Sequence, residues 1–271
     1  MEYVKRSQAS HETEDSRVRE VVAKMIERIR TLGEPAAEEY ARTLDDWQGN
    51  FVLTQDKKAA LIAEVSDQDK EDIGFAHTQV KRFAEAQRTS LTEFEIETEP
   101  GVRLGQRIVP VDCAGCYVPG GRYAHAASAI MSIATAKVAG VPFVVAASPP
   151  RNGSISPQVV YAMDLAGADI ILEMGGVQAV ASMAFGLFGT RPADILVGPG
   201  NSYVAEAKRL LFGEVGIDVI AGPTESAIIA DESADAMTVA IDLAAQAEHG
   251  PDSPVWLFTT SRQLAGDVAR I

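Results

Sequence analysis

Gln246 and His249 form one pair in this chain whose types and spacing suit a metal. They lie in the run Gln246-Ala247-Glu248-His249-Gly250-Pro251. Residues three apart share a helix face, and a neutral imidazole is a common zinc ligand. A carboxamide oxygen is a rarer one. By spacing alone the pair is also what a capped helix end looks like. Gly250 and Pro251 supply the stop, and Asp231, Ser233 and Asp235 supply capping groups at the start near Ala234. Three glycine-rich turns offer a different chemistry: Tyr117-Val118-Pro119-Gly120-Gly121, Gly175-Gly176-Val177-Gln178 and Gly198-Pro199-Gly200-Asn201. Glycine lets backbone approach a ligand closely. A helix beginning just after such a turn presents free N–H groups to an anion. None of the turns reads G-x-G-x-x-G, and each alone is equally an ordinary strand-to-helix turn. Taken together they point to a nucleotide, because the amides of Gln178 and Asn201 pair with ribose hydroxyls or a carboxamide without needing charge.

These residues need a scaffold. From about Cys116 onward, short apolar runs alternate with helical stretches. The runs are Cys116–Val118, Phe143–Ala147, Asp169–Leu172, Asp194–Val197, Asp218–Ala221 and Ala227–Ala230. Helices are predicted over Ala126–Ala139, Pro157–Leu165, Val177–Leu187 and Ser202–Phe212. Such alternation predicts an α/β fold with a Rossmann-like parallel sheet covered by helices on both faces. Ligands of such sheets sit at the carboxyl ends of the strands, where the three turns fall. The preceding region reads as helices. Val18, Val21, Val22, Met25, Ile26 and Ile29 recur at helical spacing, Gly33 stops that helix and Pro35 opens the next. A further helix over Asp67–Gln87 carries Ile73, Val80 and Phe83 on one side, and alternation around Phe94 to Val111 predicts strands. The joins near residues 115 and 223 are short. They predict a Rossmann-like domain, 117–223, inserted into a second α/β domain made of 1–116 (helices first) and 224–271.

A formal net charge of −14 argues against nucleic acid and against a polybasic membrane contact. No apolar run is long enough to cross a bilayer, and Met1 to Ser16 lacks the apolar stretch of a secretory signal. The expected location is therefore the cytoplasm. The two cysteines, Cys113 and Cys116, are spaced C-x-x-C but run into a strand and a Pro-Gly-Gly turn. A redox dithiol needs a helix after its first cysteine, so buried, inert thiols are expected. His11 and His77 read as solvated, and His125 as a helix-start residue.

The stretch Ile217-Asp218-Val219-Ile220-Ala221-Gly222-Pro223-Thr224-Glu225, followed by Gln246-Ala247-Glu248-His249-Gly250-Pro251-Asp252-Ser253, resembles the signature of the histidinol dehydrogenase family. The three glycine turns are similar to the same family, in the same order. The resemblance implies a zinc- and NAD-dependent oxidoreductase that takes an alcohol to a carboxylate with two NAD. It implies that Tyr117, Gln178 and Asn201 bind NAD. It implies that Gln246 and His249 bind zinc and touch the substrate, and that Thr224 stands where a substrate-contacting serine is usual. It further implies a homodimer in which the partner subunit donates a zinc ligand. The family's Glu-His acid–base pair is expected beyond Ile271.

One block departs from the family's usual pattern: Gly121-Arg122-Tyr123-Ala124-His125 places an arginine where small residues are common. Histidinol is a cation, which an added guanidinium disfavours, whereas a sulfonate suits it. The block is more similar to the sulfopropanediol dehydrogenases of the family, which oxidise 2,3-dihydroxypropane-1-sulfonate to sulfolactate. Arg122 is thus a candidate contact for an anionic alcohol, and equally a surface arginine. Histidinol oxidation is the alternative within the family. A catalytically inactive NAD-binding protein is the alternative of another class.

Overall fold

Residue type and spacing produce helices first. In α1 (Glu14–Leu32) the residues Val22, Met25, Ile26 and Ile29 form the buried stripe, whereas Val21, expected on it, is 38% exposed. Gly33 and Pro35 then start α2 (Glu34–Leu44). Thr54 and Ser66 cap α3 (Gln55–Glu64) and α4 (Asp67–Thr89) by accepting from Lys57 and Asp69 N–H groups. α3 was not anticipated from spacing, since its apolar residues make only a weak stripe ending in Leu61. On α4, Ile73 is buried but Phe83 is 67% exposed, against expectation. The hairpin of β1 (Phe94–Glu99) and β2 (Val102–Gln106) is exposed at every position. The computed structural model describes residues 3–5, 14–120, 124–151, 153–220, 225–247 and 253–271, without the side chains of 14–16 and 247.

The α/β alternation then follows: β3 (Cys113–Tyr117), α5 (Ala126–Ala139), β4 (Phe143–Ser148), α6 (Pro157–Ala166), β5 (Ile170–Glu173), α7 (Gly176–Phe185), β6 (Ile195–Val197), α8 (Ser202–Leu211) and β7 (Gly216–Ile217). The five strands pair in parallel in the order β5-β4-β3-β6-β7. β3 is buried at every position, as a central parallel strand must be. Ala114, Cys116 and Val118 join Ile130, Ile133 and Met163 in the core on one side. Gly115 faces the other way, where a Cβ would meet Leu196, Met183 and Ala193. The strand expected over 218–221 is instead β7 at Gly216–Ile217. Asp218 turns its carboxylate inward, as described below, and the ladder ends there.

The chain divides into two compact units, Glu20–Ile220 and Met1–Arg19 with Ala221–Ile271. Within the smaller, β8 (Ser226–Ala230) pairs in parallel with β9 (Val255–Thr259), with α9 (Ala236–Ala247) between them in sequence and α10 (Arg262–Arg270) after. Ser261 caps α10 by accepting from Leu264 N–H. No described helix is long and apolar enough to cross a membrane.

The cysteines are both free and buried, three residues apart on one strand, so their side chains point to opposite faces of the sheet. Burial pushes the Cys113 thiol up to about 11 and that of Cys116 up to about 12. An unfolded thiol titrates near ~8.5. Burial of the neutral thiols therefore stabilises the fold fully below that value, and the contribution is lost as pH rises through the folded values. Neither thiol should react with an aromatic disulfide reagent at about pH 8 until urea unfolds the protein. Stability in urea should fall above about pH 9. Stoichiometric labelling of the native protein would contradict this burial.

Candidate functional site

The chain leaves β3 toward β4 and returns on the other side of β3 at β6, so the strand order reverses between β3 and β6. In open parallel sheets, the crevice outside the carboxyl ends at this reversal binds ligands. Strand alternation puts Tyr117, last in β3, on the same face as Gly115, toward α7. Its hydroxyl accepts from Gly176 N–H at 3.1 Å and thereby ties the end of β3 to the start of α7. Tyr117 is 5% exposed, and burial pushes its phenol up to about 12, with the Gly176 amide opposing. The phenolic proton is left to donate.

Gln178 is 1% exposed and lies in the first turn of α7. Its Nε2 donates to Asp45 Oδ2 at 2.9 Å, and the same oxygen accepts from Gly175 N–H at 2.9 Å. Asp45 lies just past α2 and closes that helix. Burial pushes its carboxyl up, and the hydrogen bonds from Gly175 and Gln178 pull it down. The Oε1 of Gln178 is buried without a hydrogen-bond partner among the described residues. Leaving a buried acceptor unpaired costs about 1–3 kcal/mol, so the atom is poised to accept from a ligand. Gly176 has φ +56°, and a Cβ there would come 3.2 Å from that oxygen. Glycine at 176 thus keeps a side chain from pressing on that oxygen. A donor, the Tyr117 hydroxyl, and an acceptor, Gln178 Oε1, flank the same glycine.

The turn after β6 approaches from across the crevice. Gly198 has φ +114°, and a Cβ would lie 2.0 Å from the Tyr117 carbonyl oxygen. The turn is clamped from inside the fold. Asp218 Oδ2 accepts from Gly198 N–H at 2.8 Å, and Lys208 Nζ donates to the Gly198 carbonyl at 3.0 Å. Lys208, 2% exposed, also pairs with Asp218 Oδ1. Asn201 Oδ1 caps α8 by accepting from Val204 N–H at 3.1 Å, which leaves its amide nitrogen for a ligand.

This corrects one expectation. The amides of Gly175, Gly176 and Gly198 do not wait for an anion, because Asp45, the Tyr117 hydroxyl and Asp218 already occupy them. These three amides are therefore not among the groups an anion would meet.

Tyr117 and Gln178 are brought together, and Asn201 opens the helix that follows the neighbouring strand. Gln246 lies at the end of α9 in the smaller unit and is half-buried. Arg122, Thr224 and His249 lie outside the described residues. Among the described residues, no three His, Cys, Asp or Glu side chains group as a metal site. Three residues escaped the sequence reading: Asp45, Lys208 and Asp218. Two left a trace. Lys208 interrupts the buried stripe of Val204, Ala207 and Leu211, and Asp218 opens an apolar run. Asp45 left none.

The sheet order and the turns at its reversal point define an α/β protein with a parallel five-stranded sheet and a crevice at the carboxyl ends of its strands. More narrowly, the chain belongs to the histidinol dehydrogenase family, whose model matches residues 8–271. It is 53% identical over 269 residues to the sulfopropanediol 3-dehydrogenase of Ruegeria pomeroyi, covering 99% of this chain and 62% of that protein. It is 57% identical over 247 residues to a histidinol dehydrogenase homolog of the same organism, covering 91% of this chain and 57% of that one. The crystal structure of histidinol dehydrogenase from Elizabethkingia anophelis superposes with TM-score 0.82 and 31% identity, over 98% of this chain and 60% of that one. The chain thus spans about three fifths of the length of these relatives.

Proposed function

We propose that the chain is the nucleotide-binding part of an NAD- and zinc-dependent dehydrogenase that works as a homodimer and oxidises 2,3-dihydroxypropane-1-sulfonate to sulfolactate. The observation that carries the nucleotide reading is the buried, unpaired Oε1 of Gln178 beside the Tyr117 hydroxyl at the strand reversal. A nicotinamide carboxamide or a ribose diol needs one acceptor and one donor side by side, which is what these residues offer. Bound NAD supplies the hydride acceptor, and two equivalents with one water take a primary alcohol to a carboxylate. Tyr117 donates, Gln178 accepts, and Asn201 adds an amide hydrogen from the start of α8.

Gln246 and His249 are the residues assigned to zinc, through the family motif. The substrate follows from two supports. One is the 53% identity with a relative named for sulfopropanediol, against 40% with the histidinol dehydrogenase of Geobacter sulfurreducens. The other is Arg122, whose planar guanidinium suits a sulfonate in a chain of net charge −14.

The test is NAD reduction by the complete gene product. Turnover is expected with dihydroxypropanesulfonate and little with histidinol. A chelator should abolish it and added zinc restore it. Arg122→Ala should raise KM for the sulfonate by about tenfold, the effect of one lost charge-assisted contact. Preference for histidinol would overturn the substrate. NAD binding without turnover on either alcohol would make the protein a nucleotide-binding protein instead.

A further inference from the structure

We propose that Asp45 is a positioning residue for the nucleotide pocket, holding the Gln178 amide so that its Oε1 faces the ligand. The inference rests on the NAD reading above and deepens it. An amide side chain can present either its oxygen or its nitrogen in one direction. A carboxylate removes that choice, because it only accepts. Asp45 Oδ2 takes Gly175 N–H and Gln178 Nε2 at 2.9 Å each, so Nε2 is committed and Oε1 must point elsewhere. Elsewhere is beside Gly176, where no donor among the described residues meets the buried oxygen.

Two features set this contact apart from ordinary packing. Asp45 forms no ion pair among the described residues, although it is only partly exposed. A carboxylate without a cation is costly to hold against a buried amide. The approach also depends on Gly175, where a Cβ would come 3.2 Å from Asp45 Oδ1 and 2.6 Å from Pro149 Cβ. The chain thus brings a charge from the end of α2 to the turn after β5. The result is a buried acceptor with a single orientation.

A purely structural Asp45 would act through Gly175 alone, and a double-mutant cycle separates the two roles. NAD dissociation constants are measured by calorimetry for the wild type, Asp45→Ala, Gln178→Ala and the double variant, with the thermal midpoint of each. Asp45→Ala should weaken NAD binding about tenfold, the scale of one misdirected hydrogen bond. Gln178→Ala should do the same, and the double variant should bind as Gln178→Ala does, within about twofold. If Asp45→Ala does not fold, Asp45→Asn carries the same cycle. It keeps an oxygen for Gly175 but loses the charge and the single orientation, and should cost about threefold only while Gln178 is present. Wild-type affinity in the Asp45 variants, or losses that multiply in the double variant, would overturn the proposal alone. Failure of the wild type to bind NAD would overturn the nucleotide reading and this inference with it.

Discussion

Gly198→Ala should abolish measurable NAD binding and lower folding stability by about 4 kcal/mol. The backbone at 198 has φ +114°, outside the range an L side chain readily adopts. That strain alone costs about 1–3 kcal/mol. The added Cβ would also lie 2.0 Å from the Tyr117 carbonyl oxygen, a backbone atom that cannot swing aside. Overpacking of this kind costs about another 1–3 kcal/mol. Relief requires β3 and β6 to part at the crevice where Tyr117 and the Gly198 turn meet. Gly189→Ala is the control, because Gly189 has φ +71° but no atom within 4 Å of a Cβ. It should show the strain cost without the overlap and keep NAD affinity. Urea denaturation and NAD titration of both variants read the difference. Equal losses would mean that the Tyr117–Gly198 approach is not rigid.

Asp218→Ala should cost about 3–5 kcal/mol, because it strands the Lys208 ammonium in the protein interior. Lys208 is 2% exposed, and its partners are the Asp218 carboxylate and the Gly198 carbonyl. Removing the carboxylate also frees Gly198 N–H. The reverse change is milder. Asp218 keeps 32% side-chain exposure and its bond to Gly198 when Lys208 becomes methionine. Asp218→Ala combined with Lys208→Met should therefore be more stable than Asp218→Ala alone, since no charge is left buried. A loss under about 1 kcal/mol for Asp218→Ala would show that water reaches Lys208.

Much of the fold was legible in the residues. Helix α5 follows its apolar run from Ala126 to Ala139, and four of the apolar runs became β3, β4, β5 and β6 with ends shifted by at most three residues. Gln178 and Asn201 stood out as polar residues following strands, and Tyr117 entered through the family resemblance. Lys208 was half legible, as a cation on a buried stripe.

Periodicity determined the elements, because burial of one face repeats along the chain at a spacing set by backbone geometry alone. The contents of the crevice were decided in three dimensions. Asp45 meets Gly175 and Gln178 across 130 and 133 residues of chain, and Asp218 reaches back to Gly198. A carboxylate filling a glycine turn leaves no spacing signature, because its partner is chosen by tertiary packing and not by sequence neighbourhood. The turns were therefore readable as turns at strand ends, but the tertiary structure alone decided that the amides of Gly175, Gly176 and Gly198 are satisfied and that Gln178 Oε1 has no partner among the described residues.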